Sequence, residues 1–314
     1  MNSAAAQTPP TDYDRFAPHY DAFTSGSDYE DWARVVLEHA RRHGLRGRAL
    51  LDIACGTGNS FLPFLRRGFQ VVGSDSSSGM LAEAAHKAPR ARLVLADMRE
   101  LPKLGEFDLV TCFDDSLNYL DSEEDLGAAF GSFAANLAPE GLALFDLNSL
   151  RAYRTTFAHH HLKEEADGRV FAWRGATAAD AAPGCSADAW IDVFVPAGEG
   201  LYRRVRSRHA QRHFTRDRVT VLVAEAGLKL LDVNGVCDHG ALASDADELR
   251  HPKILYTATR AKGGAANDHQ EDRQAGASGH VNHQAVVTDR GSARPSHGPG
   301  GPPHGEEQGC KSHA

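Results

Sequence analysis

The residues able to do chemistry gather first around a glycine turn. Asp52 precedes Gly56-Thr57-Gly58, and Asp75 follows about twenty positions on. Gly56 and Gly58 remove side chains where backbone must come close to a ligand. Asn59 or Ser60 can cap a helix from Phe61 to Arg67, whose start offers free N–H groups and a positive dipole end. Asp75, at the carboxyl end of the next expected strand, is placed to accept two hydrogen bonds from a ribose diol. The pyrophosphate pattern G-x-G-x-x-G is not met, because Phe61 stands where the third glycine belongs. Asp52 would repel a pyrophosphate and welcome a cationic ligand end.

A second group lies downstream. Asp114, Asp115, Asn118 and Tyr119 follow the expected strand Phe107–Cys112, an unusual density of polar groups unless something polar binds there. Asp108, at the start of that strand, reads as structural. The arginine-rich stretch Leu201 to Phe214 reads as a strand, in which His209, Gln211 and His213 share one face. That face points either to a substrate or to solvent, according to register. Tyr13, Phe16, Tyr20, Phe23, Tyr29 and Trp32 precede the first strand and form either a lid over a site or an amphipathic helix packed as core. His159-His160-His161 cannot converge well on one ion from a strand or helix, so no metal is expected.

These groups must be held by a mostly parallel α/β framework. The short apolar run Leu50, Leu51, Ile53, Ala54 reads as a central strand covered on both faces. Strands at Phe69–Gly73, Leu93–Leu95, Phe107–Cys112 and Leu142–Asn148 alternate with helices carrying Met80, Leu81 and Ala84, and then Leu126, Phe130 and Phe133. After Leu150 the pattern becomes antiparallel, with strands at 170–173, 189–195 and 201–214. Residues 151–213 read as a small β-rich insertion over the site. A helix from Thr215 to Ala226, a strand from Leu228 to Val233 and a last antiparallel strand near Ile254–Ala258, at the sheet's far side, return to the main fold. The expected fold is a doubly wound, mostly parallel seven-stranded sheet with an antiparallel final strand. Residues 1–12 and 263–314 read as disordered flanks of a 13–262 domain. The latter stretch has no Leu, Ile, Met, Phe, Tyr or Trp, and its six histidines read as part of a passive tail.

Composition narrows the function. With 314 residues, 41% hydrophobic and 24% charged, the chain reads as soluble and globular. A formal net charge of -8 argues against a broad basic nucleic-acid surface. Five cysteines without C-x-x-C spacing read as reduced thiols of a cytoplasmic protein. Neither a signal peptide nor an apolar membrane span is apparent.

The combination of Asp52, Gly56-Thr57-Gly58 and Asp75 resembles the class I S-adenosylmethionine (SAM) dependent methyltransferases, whose motif has the form D-x-x-C/G-x-G-x-G. The resemblance runs from about Tyr13 to Arg260. It implies a Rossmann-like methyltransferase fold, with SAM as cofactor and S-adenosylhomocysteine (SAH) as product. It places Asp52 at the cofactor's amino end, Asp75 on the ribose, Asp97 on the adenine amino group and Met98 on the ring. Tyr20 and Tyr29 fall in a lid over the methionine end, with Ala54, Gly56, Gly58, Ser76, Met80 and Phe113 completing the cofactor set. Tyr20, Asp115 and His209 are the expected catalytic groups, and Asn118, Tyr119 and His213 the expected acceptor contacts. The loop Asp114-Asp115-Ser116-Leu117 is unlike the N/D-P-P-Y/F/W loop of DNA and protein-amide methyltransferases. A small-molecule acceptor follows, an amine first and a hydroxyl second, with no nucleic-acid or membrane partner, in a monomer or homodimer. Two rival readings are a non-catalytic SAM sensor and a nicotinamide-dependent oxidoreductase.

Overall fold

A computed structural model of the chain describes residues 12–261. The expectations for residues 1–11 and 263–314, including Cys310 and the six late histidines, lie outside the described residues. Two helices open the fold: α1 (Asp12–Phe23) and α2 (Tyr29–Arg42). Asp28 caps α2 by accepting from the Asp31 N–H, with Glu30 and Asp31 in its first turn and His39, Arg41 and Arg42 in its last. That charge order complements the helix dipole.

The alternation that follows is β1 (Ala49–Ile53), α3 (Leu62–Arg66), β2 (Gln70–Asp75), α4 (Ser78–Lys87), β3 (Arg92–Leu95), β4 (Phe107–Cys112), α5 (Glu123–Asn136) and β5 (Leu137–Asn148). β1 pairs in parallel with β2 and β4, β2 with β3, and β4 with β5. Leu50, Leu51 and Ile53 are buried, as an apolar run in a sheet covered on both sides must be. Asp108 is structural as expected: its Oδ2 accepts from the Ala49 N–H at 2.8 Å.

After α6 (Leu150–Arg154) the chain forms a second, four-stranded antiparallel sheet from β6 (His160–Glu164), β7 (Val170–Gly175), β8 (Ser186–Pro196) and β9 (Tyr202–Arg212). β6 was not expected; it carries His160 and His161. The chain then returns through α7 (Arg216–Glu225), β10 (Leu228–Val236), β11 (Leu242–Ala243) and β12 (Lys253–Arg260). The main sheet has the order β11-β10-β12-β5-β4-β1-β2-β3. It is the expected mostly parallel sheet, with the two-residue β11 as an eighth strand. β12 is antiparallel, as read, but lies between β5 and β10 instead of at the edge. Cys55, Cys112 and Cys185 are free thiols, whereas Cys237 is disulfide-bonded, which corrects the reading of five reduced cysteines. Among the described residues no helix is long and apolar enough to cross a membrane.

The strand order reverses between β1 and β4, the chain running outward to β3 and back to β4. The crevice outside the carboxyl ends of these two strands is where such sheets bind ligands.

Candidate active site

Both loops leaving that crevice are bent through left-handed backbone. Ala54, Asp114 and Asp115 have φ of 55°, 57° and 53°, unusual for residues with a Cβ. Such strain concentrates at functional sites. The turn after β1 is tied down from several sides. Gly56 and Ser77 N–H groups donate to the Asp75 carboxylate at 2.8 Å each. Lys87 bonds Asp21, Thr57 and Asn59, joining α1, the turn and α4. Asp14 of α1 accepts from the Ser77 hydroxyl at 2.7 Å and the Gly79 N–H at 2.8 Å.

Two small cavities flank the turn. One, of about 180 Å³, is lined by Ala54, Asp75, Ser76, Asp97, Met98 and Tyr119, among others. The second, of about 30 Å³, is lined by Tyr20, Tyr29, Ala54, Gly56, Phe113 and Asp114, among others. Ala54 belongs to both. A Cβ on Gly56 would meet nothing within 4 Å, so the turn leaves open space there. Burial pushes Asp75 above the ordinary carboxylate range. Each of its oxygens still has a lone pair beyond the backbone bond it accepts. Arg99 pairs with Asp97 at 2.6 Å and holds that carboxyl low. A turn with spare room, an acid with free acceptor capacity and a half-apolar slot suit a nucleoside with an amino-acid end.

A chamber of about 850 Å³ adjoins them, beneath the second sheet and α1. It shares Tyr119 with the first cavity and Tyr20, Tyr29 and Asp114 with the second. Its floor is acidic. Asp146, at the carboxyl end of β5, accepts from the N–H groups of Asp114 and Asp115 at 3.1 and 2.7 Å. Lys253 lies 2.8 Å from Asp115, 3.6 Å from Asp114 and 3.7 Å from Asp146. Burial raises Asp146 to about 6, and the three carboxylates push Lys253 well up. Gln211 donates to Asp115 at 2.5 Å and accepts from Asn148 at 3.0 Å. Its upper wall is aromatic: Phe16, Tyr20, Phe23 and Trp173 all line it. A chain of hydrogen bonds runs along one side, from the Tyr13 hydroxyl to that of Tyr119 at 2.7 Å, then to His209 Nδ1 at 2.9 Å. His209 Nε2 meets the Ser207 hydroxyl at 2.9 Å. Burial lowers His209 to about 4, so it is neutral at pH 7.

The structure brings most of the expected site residues together. Tyr20, Asp115, Tyr119 and His209 line the chamber, and Tyr20, Tyr29, Ala54, Gly56, Asp75, Ser76, Asp97, Met98 and Phe113 line the small cavities. The face of β9 carrying Ser207, His209 and Gln211 is turned inward, with Arg204, Arg206 and Arg208 outside. α1 proves to be lid and core at once: Phe16 is 1% exposed against Phe171 and Ile191, while Tyr13 and Tyr20 reach the chamber.

Five expected contacts are placed elsewhere. Asp52 is buried and accepts from Ser60 and Thr111 hydroxyls at 2.6 Å each, while burial raises it to about 6. Gly58 clears the ring of Phe61, which a Cβ would meet at 2.7 Å. Met80 is on the buried side of α4 and lines none of these cavities. Asn118 is fully enclosed, donating to the Arg212 carbonyl and accepting from the Asn148 N–H. His213 packs on Tyr153, accepts from the Gly184 N–H and pairs with Glu248, away from the chamber. Asp146 and Lys253 were missed as site residues, while Tyr13 and Gln211 were read only as parts of the aromatic opening segment and of the β9 face. An Asp after the apolar run Leu142–Phe145 was the available signal for Asp146; Lys253 had none, because its place depends on β12 entering the sheet antiparallel beside β5.

Residues 50–141 match the family described as methyltransferase domain. A Geobacillus sp. (strain WCH70) protein named as a methyltransferase is 30% identical over 232 residues, covering 70% of this chain and 90% of its own length. The dTDP-3-amino-3,6-dideoxy-alpha-D-glucopyranose N,N-dimethyltransferase of Streptomyces fradiae is 36% identical over 149 residues, covering 46% of this chain and 58% of its own. The crystal structure of a SAM-dependent methyltransferase from Clostridium acetobutylicum ATCC 824 superposes with a TM-score of 0.67 at 25% identity, covering 79% of this chain and 99% of that one. The chain belongs to the class I SAM-dependent methyltransferases, and SAM is its cofactor.

Proposed function

We propose that the protein transfers the methyl group of SAM to the nitrogen of a small-molecule amine in the 850 Å³ chamber. The observation that carries this reading is the floor charge: three carboxylates, Asp114, Asp115 and Asp146, against the single ammonium of Lys253. A surplus of negative charge partly shielded from water favours a cation. The naming of the Streptomyces fradiae relative as an amino-sugar N,N-dimethyltransferase supports it.

SAM, when bound, supplies a methyl group already activated on a sulfonium. The chain's own residues do the rest. Asp97 and Met98 hold the adenine, Asp75 the ribose hydroxyls, and the open backbone at Gly56 the amino-acid end. Asp52 acts through Ser60 and Thr111, fixing the turn and β4. Tyr20 and Tyr29 exclude water at the junction, Tyr29 tied to Asp114 at 3.3 Å. The acidic floor accepts the N–H hydrogens of the acceptor and so aims its lone pair. Positioning of this kind can supply most of the acceleration. An acceptor held as an ammonium must first give one proton to water or to a floor carboxylate; the neutral amine then needs no base in the transfer step itself, whereas a hydroxyl does. His209 is a poor base for that purpose, being lowered to about 4 with both ring nitrogens bonded. It instead orients Tyr119 and, through it, Tyr13.

Purified protein with methyl-labelled SAM and matched amine and alcohol acceptors tests the reading. Label recovered as N–CH₃ from the amines supports it; label recovered only as O–CH₃ refutes it.

A further inference from the structure

The chamber's remaining groups say what the amine is attached to. Among the described residues six carboxylates line it: Asp28, Asp31, Asp114, Asp115, Asp146 and Asp238. Two lysines do, and no arginine lines it among the described residues. Neither lysine is available to an anionic ligand. Lys163 gives its ammonium hydrogens to the carbonyls of Ala22 and Phe23 at 2.9 and 3.0 Å and to the Ser25 hydroxyl at 2.8 Å, and pairs with Glu165 at 2.9 Å. It staples the end of α1 to β6. Lys253 is surrounded by the three floor carboxylates. At the rim, Arg151 is engaged by Asp238 through two bonds of 3.0 Å. Phosphate recognition normally calls for guanidinium or ammonium groups free to donate, or a helix N-terminus; here those cations are spent inside the protein. The start of α2 also reaches the lining, but there the Asp28 carboxylate caps the helix by taking the Asp31 N–H; the remaining donors on the lining are the imidazoles of His161 and His239 and neutral hydroxyl and amide groups.

The opposite wall is apolar. Phe23 stacks on Trp173, 6.4 Å between centroids and 17° between planes, and Phe157 meets Trp173 edge to face at 5.1 Å. Phe16, Phe23, Phe157, Trp173 and Ile191 all contribute to the lining. Such a wall buries apolar or ring-shaped surface and attracts cations through ring faces.

We infer that the acceptor is an amine on an apolar, phosphate-free body, in contrast to the nucleoside-diphosphate sugar named for the Streptomyces fradiae relative. The ammonium half of this inference rests on the proposed function. The exclusion of phosphate and the apolar body rest on the lining alone. An acceptor of this class would set its ammonium on Asp114 and Asp115 and its body against Trp173 and Phe23. A diphosphate in the same chamber would face a surplus of negative charge, the three floor carboxylates against Lys253 alone.

The test uses the full chain saturated with SAH and three probes in calorimetry: tryptamine, its alcohol counterpart tryptophol, and thymidine diphosphate. Tryptamine should bind at least tenfold more tightly than tryptophol, and thymidine diphosphate should neither bind nor displace tryptamine. Trp173→Ala, in a variant shown to retain SAH affinity, should weaken tryptamine at least fivefold. Binding of thymidine diphosphate as tight as tryptamine, lost in His161→Ala or His239→Ala, would overturn the exclusion of phosphate. Failure of both indole probes would overturn the apolar body. Equal binding of tryptamine and tryptophol, with the diphosphate still excluded, would refute the amine reading and leave the rest standing.

Discussion

Replacing Asp115 by Asn removes one floor charge with little change of shape. Asn tolerates the left-handed backbone that Asp115 adopts, and its amide oxygen can still accept from Gln211. Lys253 loses its 2.8 Å partner but keeps Asp114 and Asp146 at 3.6 and 3.7 Å. An acceptor ammonium about 4–5 Å from Asp115 would gain roughly 3–4 kcal/mol at an effective dielectric near 20. The chamber admits water and Lys253 already offsets part of the field, so about 1.5 kcal/mol is the expected net loss, roughly tenfold in KM. Asp115 does not line the small cavities, so SAH affinity should be unchanged. The assay is steady-state kinetics with a methylated amine, beside SAH calorimetry and a melting curve. An unchanged KM in a variant with normal Tm and SAH affinity would show that the acidic floor does not hold the acceptor.

Three further outcomes are expected. Asp75→Ala should weaken SAH binding by on the order of 1.5–3 kcal/mol while the fold persists, since the residue ends β2; an unchanged Kd would place the ribose elsewhere. Asp192, buried on β8, is held by Arg174, Arg204 and Arg206 at 3.0, 2.7 and 2.8 Å; Asp192→Ala should cost about 1–3 kcal/mol in urea unfolding after allowance for the partly exposed arginines, and no loss would show the cluster idle. His209, lowered to about 4, binds fewer protons folded than unfolded, so its share of stability is full above pH 6.5 and is lost as pH falls toward 4. Asp52 and Asp146, raised to about 6, act with the opposite sign, their cost at neutral pH easing as pH falls through 6. These opposite contributions offset one another only in part in the wild type, while in His209→Gln the destabilisation relative to wild type should shrink by about 2–3 kcal/mol between pH 7 and pH 4.5; a constant difference would refute the buried neutral imidazole.

The parts of the site legible in the sequence are those fixed by local chain order. Gly56 and Asp75 could be placed because a strand, its turn and the following strand are consecutive, and parallel neighbours share one carboxyl edge. Ser77, just past the end of β2, caps α4 by accepting from the Met80 N–H. His209 followed from strand alternation once the face was known. What was not legible depends on register between distant segments. Lys253 reaches the floor only because β12 runs antiparallel beside β5, pairing Lys253 with Asn148 and Leu255 with Asp146. His213 shares its strand face with His209 in sequence but lies one residue past the end of β9, where it packs on Tyr153. Asn118 looked like an acceptor contact because it is polar and follows Asp115; its amide is instead consumed in joining the loop to β5 and Arg212. Asp52 sits beside the glycine turn, and only the Ser60 and Thr111 hydroxyls show that its charge points into the protein.

One nucleoside ligand should span the two small cavities and present its sulfur to the acidic chamber. A crystal structure with SAH bound tests it most directly. The adenine should lie beside Asp97 and Met98, the ribose hydroxyls on Asp75, and the sulfur under Tyr20 and Tyr29, facing Asp114. SAH found with its ribose away from Asp75, or with its sulfur closed off from the chamber, would contradict it.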